Sequence, residues 1–222
     1  MLRRNFFKTT GLAALATGFP QLKAMAENSE NSPERSGLKP VRLRAGATIA
    51  LIAPSSPPSE EKLTKGIANL TKFGFNIVEG KSLRARNGYL AGTDAERLAD
   101  LHWAFQNPEI EAVWCIRGGY GASRLLPNID YDLIRKHPKP LIGYSDVTAL
   151  HIAIHQRTGL VTFHGPVAAS EYPDDTLQHF RSVLVQPIAP YEISASTEAT
   201  AFESPEYQPF VISPGQATGA LT

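Results

Sequence analysis

Short apolar runs alternate with amphipathic segments through the middle of the chain. The runs read ATIALIA from Ala47, FNIV from Phe75, EAVWCI from Glu111, KPLIG from Lys139 and LVTF from Leu160. Short apolar runs of this kind are typical of strands that are buried on both faces of a sheet. The pattern therefore predicts five strands.

The segments between the runs carry apolar residues at helical spacing. Leu63, Ile67 and Leu70 are four and three residues apart, which predicts a helix after the first strand. Thr93 is followed three residues later by Glu96, and this capping box predicts the start of a second helix. Further helices are predicted within residues 122–136, over 146–159 and from Asp174 to about Val185.

Regular alternation of strands and helices predicts an α/β fold class. We expect a parallel sheet with helices on both faces, because parallel strands are joined by crossover helices. In such sheets ligands bind outside the carboxyl ends of the strands. The residues at these ends are Ser55, Ser56, Arg117 to Gly121, Ser145, Asp146, His164 and Gly165.

The two ends of the chain lack this alternation. Arg3 and Arg4 precede a modest apolar run and the small-residue sequence AMA, so residues 1–26 resemble a twin-arginine export signal. This signal predicts a periplasmic location, with no stable membrane anchor after its cleavage. The expected regions are a signal over 1–26, a flexible leader over 27–45, an α/β domain over 46–168, a helix and linker over 169–208, and the start of a second domain over 209–222.

Composition narrows the function classes. The chain has 22 basic and 21 acidic residues, a balance that gives no sign of the basic face needed for nucleic-acid binding. The single cysteine, Cys115, lies in an apolar run and is expected to be a small buried residue. His151 and His155 have the spacing of a metal-ligand pair, but we expect them at a helix surface because no third ligand accompanies them. No metal site is predicted.

Ser145 lies in the sequence LIGYSDVTALH, where a strand is expected to pass through a tight turn into a helix. A serine at such a turn can be a nucleophile lifted above the sheet edge, as in the pattern G-x-S-x-G. Gly143 fits this pattern, whereas Val147 occupies the position of the second glycine. Alternatively, Ser145 or Asp146 caps the helix that begins near Val147. The local pattern leaves both interpretations open.

The sequence RGGYG over residues 117–121 is a second candidate element of a site. Glycines let backbone N–H groups approach a ligand, so N–H groups of Gly118 or Gly119 and of Asp146 are candidates for binding an oxyanion. The alternatives are a tight turn and a phosphate-binding loop, although the pattern G-x-G-x-x-G is absent. Arg117 is a candidate for binding a substrate carboxylate, but the favoured interpretation is an ion pair with an Asp or Glu inside the fold.

A nucleophilic serine also needs a base, because its hydroxyl is weakly nucleophilic on its own. His151 lies about 240° around the helix and about 9 Å along it from Ser145, which is the wrong place for this role. His164 ends the next strand and is the best local candidate, but no carboxylate is placed to orient it. The residues alone therefore give no complete triad.

Two long stretches of the chain closely resemble the L,D-carboxypeptidase family, peptidase family S66. They read GYLAGTDAERLADLHWAFQNPEIEAVWCIRGGYGASRLLPNIDYDLI and KPLIGYSDVTALHIAIHQRTGLVTFHGP, and TIALIAPSSP resembles the family's first strand. The family includes muramoyltetrapeptide carboxypeptidases and microcin-immunity peptidases. The resemblance implies that Ser145 is the nucleophile, with an oxyanion hole formed by N–H groups of Asp146 and of the RGGYG loop at Gly119.

The resemblance also implies an activity. Family members are serine peptidases that cut an L,D-peptide bond, typically releasing terminal D-alanine from murein tetrapeptides, and they use no metal or organic cofactor. They commonly form dimers, and their Glu and His triad partners lie in a C-terminal domain. The chain stops at GQATGALT, which resembles the start of that C-terminal domain. We therefore expect a truncated member that is inactive by itself.

Three alternatives to this activity stay open. One is a catalytically inactive fragment that at most binds murein peptides. Another is an immunity-type peptidase that acts on a peptide conjugate. The third, a nucleotide-binding domain, rests only on the sheet order and the glycine loop.

Overall fold

The computed structural model describes residues 37–188 and residue 191. The strands are β1 Thr48–Ile52, β2 Asn76–Glu79, β3 Ala112–Cys115, β4 Leu141–Gly143 and β5 Phe163–His164. The helices are α1 Glu60–Lys72, α2 Asp94–Gln106, α3 Tyr131–Lys136, α4 Thr148–Thr158 and α5 Asp174–Phe180. Short 3-10 turns are formed by Ala122–Arg124, Leu126–Asn128 and Ser145–Val147, and a π turn by Arg181–Val185. The predicted alternation of strands and helices is confirmed.

The strands form one parallel sheet in the order β2-β1-β3-β4-β5. Leu51 of β1 is in register with Glu79 of β2 and with Trp114 of β3. The chain passes from β1 outwards to β2 and then returns to β3 on the other side of β1. The winding direction therefore changes between β1 and β3, and loops that leave two such strands open a crevice at their carboxyl ends.

Each face of the sheet has its own apolar core, because successive strand residues point to opposite faces. On one face Ala50 and Ile52 pack with residues of α2, α3 and α4. On the other face Ile49 and Leu51 pack with residues of α1 and of the π turn after α5. The predicted coverage of both faces is confirmed. Cys115 is fully buried, as predicted, and burial raises the pKa of its thiol.

The helix predicted from Asp174 to about Val185 is part of the second core. It is regular as far as Phe180 and continues as the π turn Arg181–Val185. The Phe180 ring lies 5.2 Å from the ring of Trp114, which is fully buried in β3. This contact places α5 against the same face of the sheet as α1.

Residues before β1 also pack against the domain. The Leu38 N–H donates to the Gly159 carbonyl at 2.8 Å, and the Leu43 N–H donates to the Leu184 carbonyl at 2.8 Å. Leu43 is buried, so the flexible leader predicted over 27–45 is wrong for residues 37–45. The predicted signal over 1–26 and the predicted second-domain start over 209–222 lie outside the described residues. Within the part that is described, no helix is long and apolar enough to cross a membrane.

Candidate active site

Ser145 lies on a strained turn between β4 and α4. Its φ is 65°, and it is the one non-glycine residue with a positive φ in the described part of the chain. This left-handed conformation costs a side chain about 1–2 kcal/mol, so it persists only where neighbouring contacts hold it. The turn leaves Ser145 exposed at the carboxyl edge of the sheet. Such a turn has the geometry of a nucleophile elbow, which exposes the serine hydroxyl.

The residues around the turn explain its incomplete glycine pattern. Val147 is fully buried, and a Cβ on Gly143 would lie 3.0 Å from its Cγ1 and 3.2 Å from the Cβ of Cys115. Gly143 therefore lets the strand and the turn pack closely, while Val147 fills the core. The capping interpretation of Ser145 and Asp146 is wrong, because neither the 3-10 turn nor α4 has a side-chain cap hydrogen bond.

The RGGYG loop lies directly against Ser145. A Cβ on Gly118 would lie 2.9 Å from the Ser145 Cβ and 3.2 Å from its Oγ. Gly119 has a φ of 127°, which side chains rarely adopt, and a Cβ there would collide with Ser56. The Tyr120 N–H donates to the Ser56 Oγ at 3.2 Å. The glycines thus bring the loop backbone close to two serines from two other strand ends.

The carboxylate of Asp146 joins three loops at the sheet edge. Its Oδ2 accepts hydrogen bonds from the Ser55 Oγ at 2.7 Å and from the Ala122 N–H at 2.9 Å. Ser55 follows β1, and Ala122 follows the RGGYG loop. The Asp146 side chain is therefore engaged inside the fold, which leaves its backbone N–H as the candidate group for a ligand.

Arg117 lies half-buried in the same loop without a carboxylate partner among the described residues. Its Nε donates to the Gly118 carbonyl at 3.2 Å, and its Nη1 donates to the Pro57 carbonyl at 3.3 Å. The predicted ion pair with an Asp or Glu inside the fold is therefore wrong. A guanidinium has five N–H donors, so donors remain for a ligand carboxylate.

Arg97 is a residue of this edge that sequence reasoning missed. It is fully buried on α2 and donates to the carbonyls of Pro54 and Gly121 and to Asp94. Pro54 follows β1 and Gly121 ends the glycine loop, so one side chain fixes both segments. The available signal was its position four residues before Leu101, which places a charged residue on the buried face of α2.

All six histidines lie within the described residues, and none of them hydrogen-bonds to Ser145. His164 is exposed at the end of β5, with its ring 6.3 Å from that of Tyr144. His151 is only 2% exposed, so its predicted place at the helix surface is wrong. Burial lowers the pKa of His151 to about 4.

An open cavity of about 410 Å³ adjoins the turn on the β5 side. It is lined by Tyr144, His164, Gly165, Pro166, Ser170, Glu171 and Thr176. A more apolar cavity of about 580 Å³ lies between β5 and α5. Both volumes suit small-molecule or peptide ligands. Within the described residues, no group of three or more His, Cys, Asp or Glu could hold a metal ion.

The fold and this edge define an α/β protein of the class that carries a serine on a strand-to-helix elbow, a class with many hydrolases. Residues 49–165 match the model of the LD-carboxypeptidase N-terminal domain of peptidase family S66, and the chain therefore belongs to this family. The nucleotide-binding alternative rests on sheet order and the RGGYG loop alone, and it stays a prediction.

Two similar proteins are named as murein carboxypeptidases. A probable murein peptide carboxypeptidase of Bacillus subtilis is 44% identical over 184 residues, which are 82% of this chain and 56% of that protein. A murein tetrapeptide carboxypeptidase of Pseudomonas aeruginosa is 47% identical over 121 residues, which are 54% of this chain and 39% of that protein. The chain thus spans about half the length of the curated relatives it matches.

A solved structure has the same fold over this region. The crystal structure of an MccF-like protein from Bacillus anthracis superposes with a TM-score of 0.63 at 34% identity. The superposition covers 66% of this chain and 47% of that chain. The sheet and the helices described above are therefore the family's architecture in this half of its members.

Proposed function

We propose that the protein containing this chain is a serine carboxypeptidase that cleaves an L,D-peptide bond and releases terminal D-alanine from murein tetrapeptides. Ser145 is its nucleophile. The observation that carries the proposal is the positive φ of Ser145 at a turn packed against a glycine loop. Strain of this kind is concentrated at functional sites. A capping role does not explain it here, because Ser145 does not cap α4.

The residues at the edge account for the chemical steps. The Ser145 Oγ attacks the scissile carbonyl carbon, and N–H groups of Gly119 and Asp146 bind the oxyanion of the tetrahedral intermediate. The Gly119 N–H has no acceptor among the described residues, so it is free to donate. Collapse of the intermediate breaks the C–N bond, D-alanine leaves with a proton, and water then hydrolyses the acyl-enzyme. Arg117 binds the terminal carboxylate of the substrate.

The base that takes the Ser145 proton is assigned to a residue outside the described part of the chain. No histidine of the chain bonds to Ser145, and the curated relatives are about twice as long as the region they share with it. A nucleophilic serine requires such a base within hydrogen-bond reach. Ser145 is exposed, so a base from another region can approach it.

Release of D-alanine from a murein tetrapeptide by the full-length gene product tests this function. Ser145→Ala is expected to lower kcat at least about 1,000-fold. Ser123→Ala is the matched control, because Ser123 is an exposed serine on the turn after the glycine loop. Equal rates in the two variants would exclude Ser145 as the nucleophile, provided that both melt like the wild-type protein.

A second candidate is a module that binds murein peptides without cleaving them. It is favoured by the absence of a hydrogen bond between Ser145 and any histidine. Binding of the tetrapeptide to the 222-residue chain, measured by calorimetry without release of D-alanine, would support it. Turnover by this chain that is lost in Ser145→Ala would exclude it.

A peptide conjugate is an alternative substrate to the murein tetrapeptide for the same peptidase reaction. Similarity to a protein of Escherichia coli named microcin C7 self-immunity protein MccF favours a peptidase that acts on a peptide conjugate. Rates on a murein tetrapeptide and on an aminoacyl conjugate separate the two, and we expect the tetrapeptide to be cut faster. Cell fractionation tests the proposed periplasmic location, and light scattering tests the proposed homodimer.

A further inference from the structure

His151 is a buried histidine on α4 that faces the end of β4. Its Nε2 lies 2.9 Å from the Gly143 carbonyl oxygen, and the residue is only 2% exposed. The same carbonyl accepts the Gly165 N–H at 3.1 Å. Two donors, one from α4 and one from the segment after β5, thus converge on the residue that ends β4.

The protonation state of His151 follows from this geometry. A carbonyl oxygen can only accept, so the Nε2 must carry the proton. The Nδ1 is buried and has no hydrogen-bond partner in the described structure. Burial, opposed by the bond to Gly143 and assisted by nearby His164, lowers the pKa of His151 to about 4, so the ring is neutral near pH 7.

Packing alone does not account for a histidine at this position. A buried nitrogen without a partner destabilises a protein, and an apolar side chain of similar size would avoid that loss. The property that distinguishes histidine from leucine here is the N–H directed at the Gly143 carbonyl. This points to a role in fixing the backbone beside the site.

The two ends of that bond lie on either side of the strained turn. Gly143 precedes Ser145 by two residues, and His151 lies on the helix that follows it. We propose that His151 is a positioning residue, whose hydrogen bond to the Gly143 carbonyl joins β4 to α4 across the turn and so holds Ser145 in its left-handed conformation. Its catalytic consequence rests on the proposed function, whereas its effect on the backbone does not.

Two substitutions separate this role from simple packing. His151→Leu fills the space without a donor, whereas His151→Gln carries an amide N–H at the position of the Nε2. His155→Leu is the matched control, because its ring lies one helical turn later and bonds to the Leu160 carbonyl at 3.0 Å, away from Ser145. Crystal structures and melting curves of the three variants report the φ of Ser145 and the stability.

The expected result is that His151→Leu melts no lower than the wild-type protein but loses the positive φ of Ser145. His151→Gln and His155→Leu are expected to keep it. In the active gene product, His151→Leu should lower kcat by about 10- to 100-fold with little change in KM, and Gln should restore most of it. An unchanged φ of Ser145 in His151→Leu would overturn the proposal, whatever the activity.

Nitrogen NMR of the wild-type protein keeps the proposal testable if His151→Leu does not fold. The spectrum should show His151 neutral at pH 7, with its proton on Nε2. A proton on Nδ1, or a charged ring, would overturn the proposal. Absence of D-alanine release together with the expected Ser145 geometry would instead remove the proposed function and leave the positioning role.

Discussion

The carboxyl edge of the sheet has two halves that are built differently. Around β1 and β3, the buried Arg97 donates to the Pro54 and Gly121 carbonyls, and the buried Ser56 accepts from the Tyr120 N–H of the RGGYG loop. Around β4 and β5, Ser145 is exposed and strained. Its neighbour Tyr144 lines a cavity of about 410 Å³, and a second cavity of about 580 Å³ lies between β5 and α5. The edge therefore combines a densely bonded half with an open half that carries the proposed nucleophile, Ser145.

This difference matches what acyl transfer requires of a site. Donors for an oxyanion act well only if they are fixed before the reaction, because moving them during it costs free energy. A nucleophile must instead remain accessible to a substrate and to its base. The Asp146 carboxylate joins the two halves, since it lies on the turn after Ser145 and accepts from Ser55 and Ala122.

The largest expected effect on stability comes from replacing Arg97, in the half of the edge around β1 and β3. Arg97→Met leaves the Pro54 and Gly121 carbonyls without this donor. A buried acceptor left unsatisfied costs about 1–3 kcal/mol, so we expect the free energy of unfolding to fall by about 4 kcal/mol. Arg124→Met is the matched control, because Arg124 also pairs with Asp94 but is exposed. For the control we expect little or no loss, because solvent screens an exposed ion pair.

Urea denaturation of both variants tests whether Arg97 stabilises the protein through its buried hydrogen bonds to carbonyls or through its ion pair with Asp94. The pKa of Asp94 is held below its ordinary value first by hydrogen bonds from Arg124 and then by those from Arg97. If the ion pair with Asp94 were what matters, Arg124→Met would therefore be the more damaging substitution. Equal or reversed losses would show that the densely bonded half does not depend on Arg97.

A smaller effect is expected from adding one methyl group to the glycine loop. Gly119→Ala places a Cβ against Ser56 and keeps a residue at a φ of 127°, so we expect a loss of about 3 kcal/mol in unfolding free energy. Gly165→Ala is the control in the open half, where a Cβ would meet nothing within 4 Å. Thermal melting should show a clear drop for the first and almost none for the second. Similar drops would contradict the contrast between the halves.

The smallest predicted effect is a pH dependence that originates in the open half. The folded pKa of His151, about 4, is lower than its unfolded value of 6.5, so the unfolded chain binds a proton first as pH falls. Stability should therefore decrease between pH 7 and pH 5, by about 2 kcal/mol more in the wild-type protein than in His151→Gln. The measurement is urea denaturation of both proteins at the two pH values. Parallel pH profiles would show that His151 titrates normally.

Local sequence pattern predicted the elements well because their signals are short in range. The capping box of Thr93 and Glu96 is present, with the Thr93 N–H donating to the Glu96 Oε2 at 2.7 Å. Arg97 was missed and His151 was misplaced, because their partners lie on other elements: the Pro54 and Gly121 carbonyls are distant in sequence from Arg97, and the Gly143 carbonyl lies on the strand before α4. The spacing of Arg97 to Leu101 was visible in the sequence, but the carbonyls that accept hydrogen bonds from Arg97 and His151 were not.

The conformation of the turn at Ser145 also could not be predicted from local sequence pattern. Val147 broke the expected glycine pattern, and only packing against Gly143 shows that a valine fits there. The Gly143 carbonyl beside the turn accepts hydrogen bonds from Gly165 and His151, contacts that no local pattern contains. Family resemblance identified the residue, whereas the structure supplies the physical reason for its exposure.

Covalent labelling of Ser145 tests the central claim most directly. The full-length gene product is treated with a fluorophosphonate, digested, and mapped by mass spectrometry, with Ser145→Ala and Ser123→Ala treated in parallel. The account predicts one adduct, on the peptide that contains Ser145, present in Ser123→Ala and absent from Ser145→Ala. An adduct on another residue, or an unlabelled Ser145 in a protein that still releases D-alanine, would contradict it.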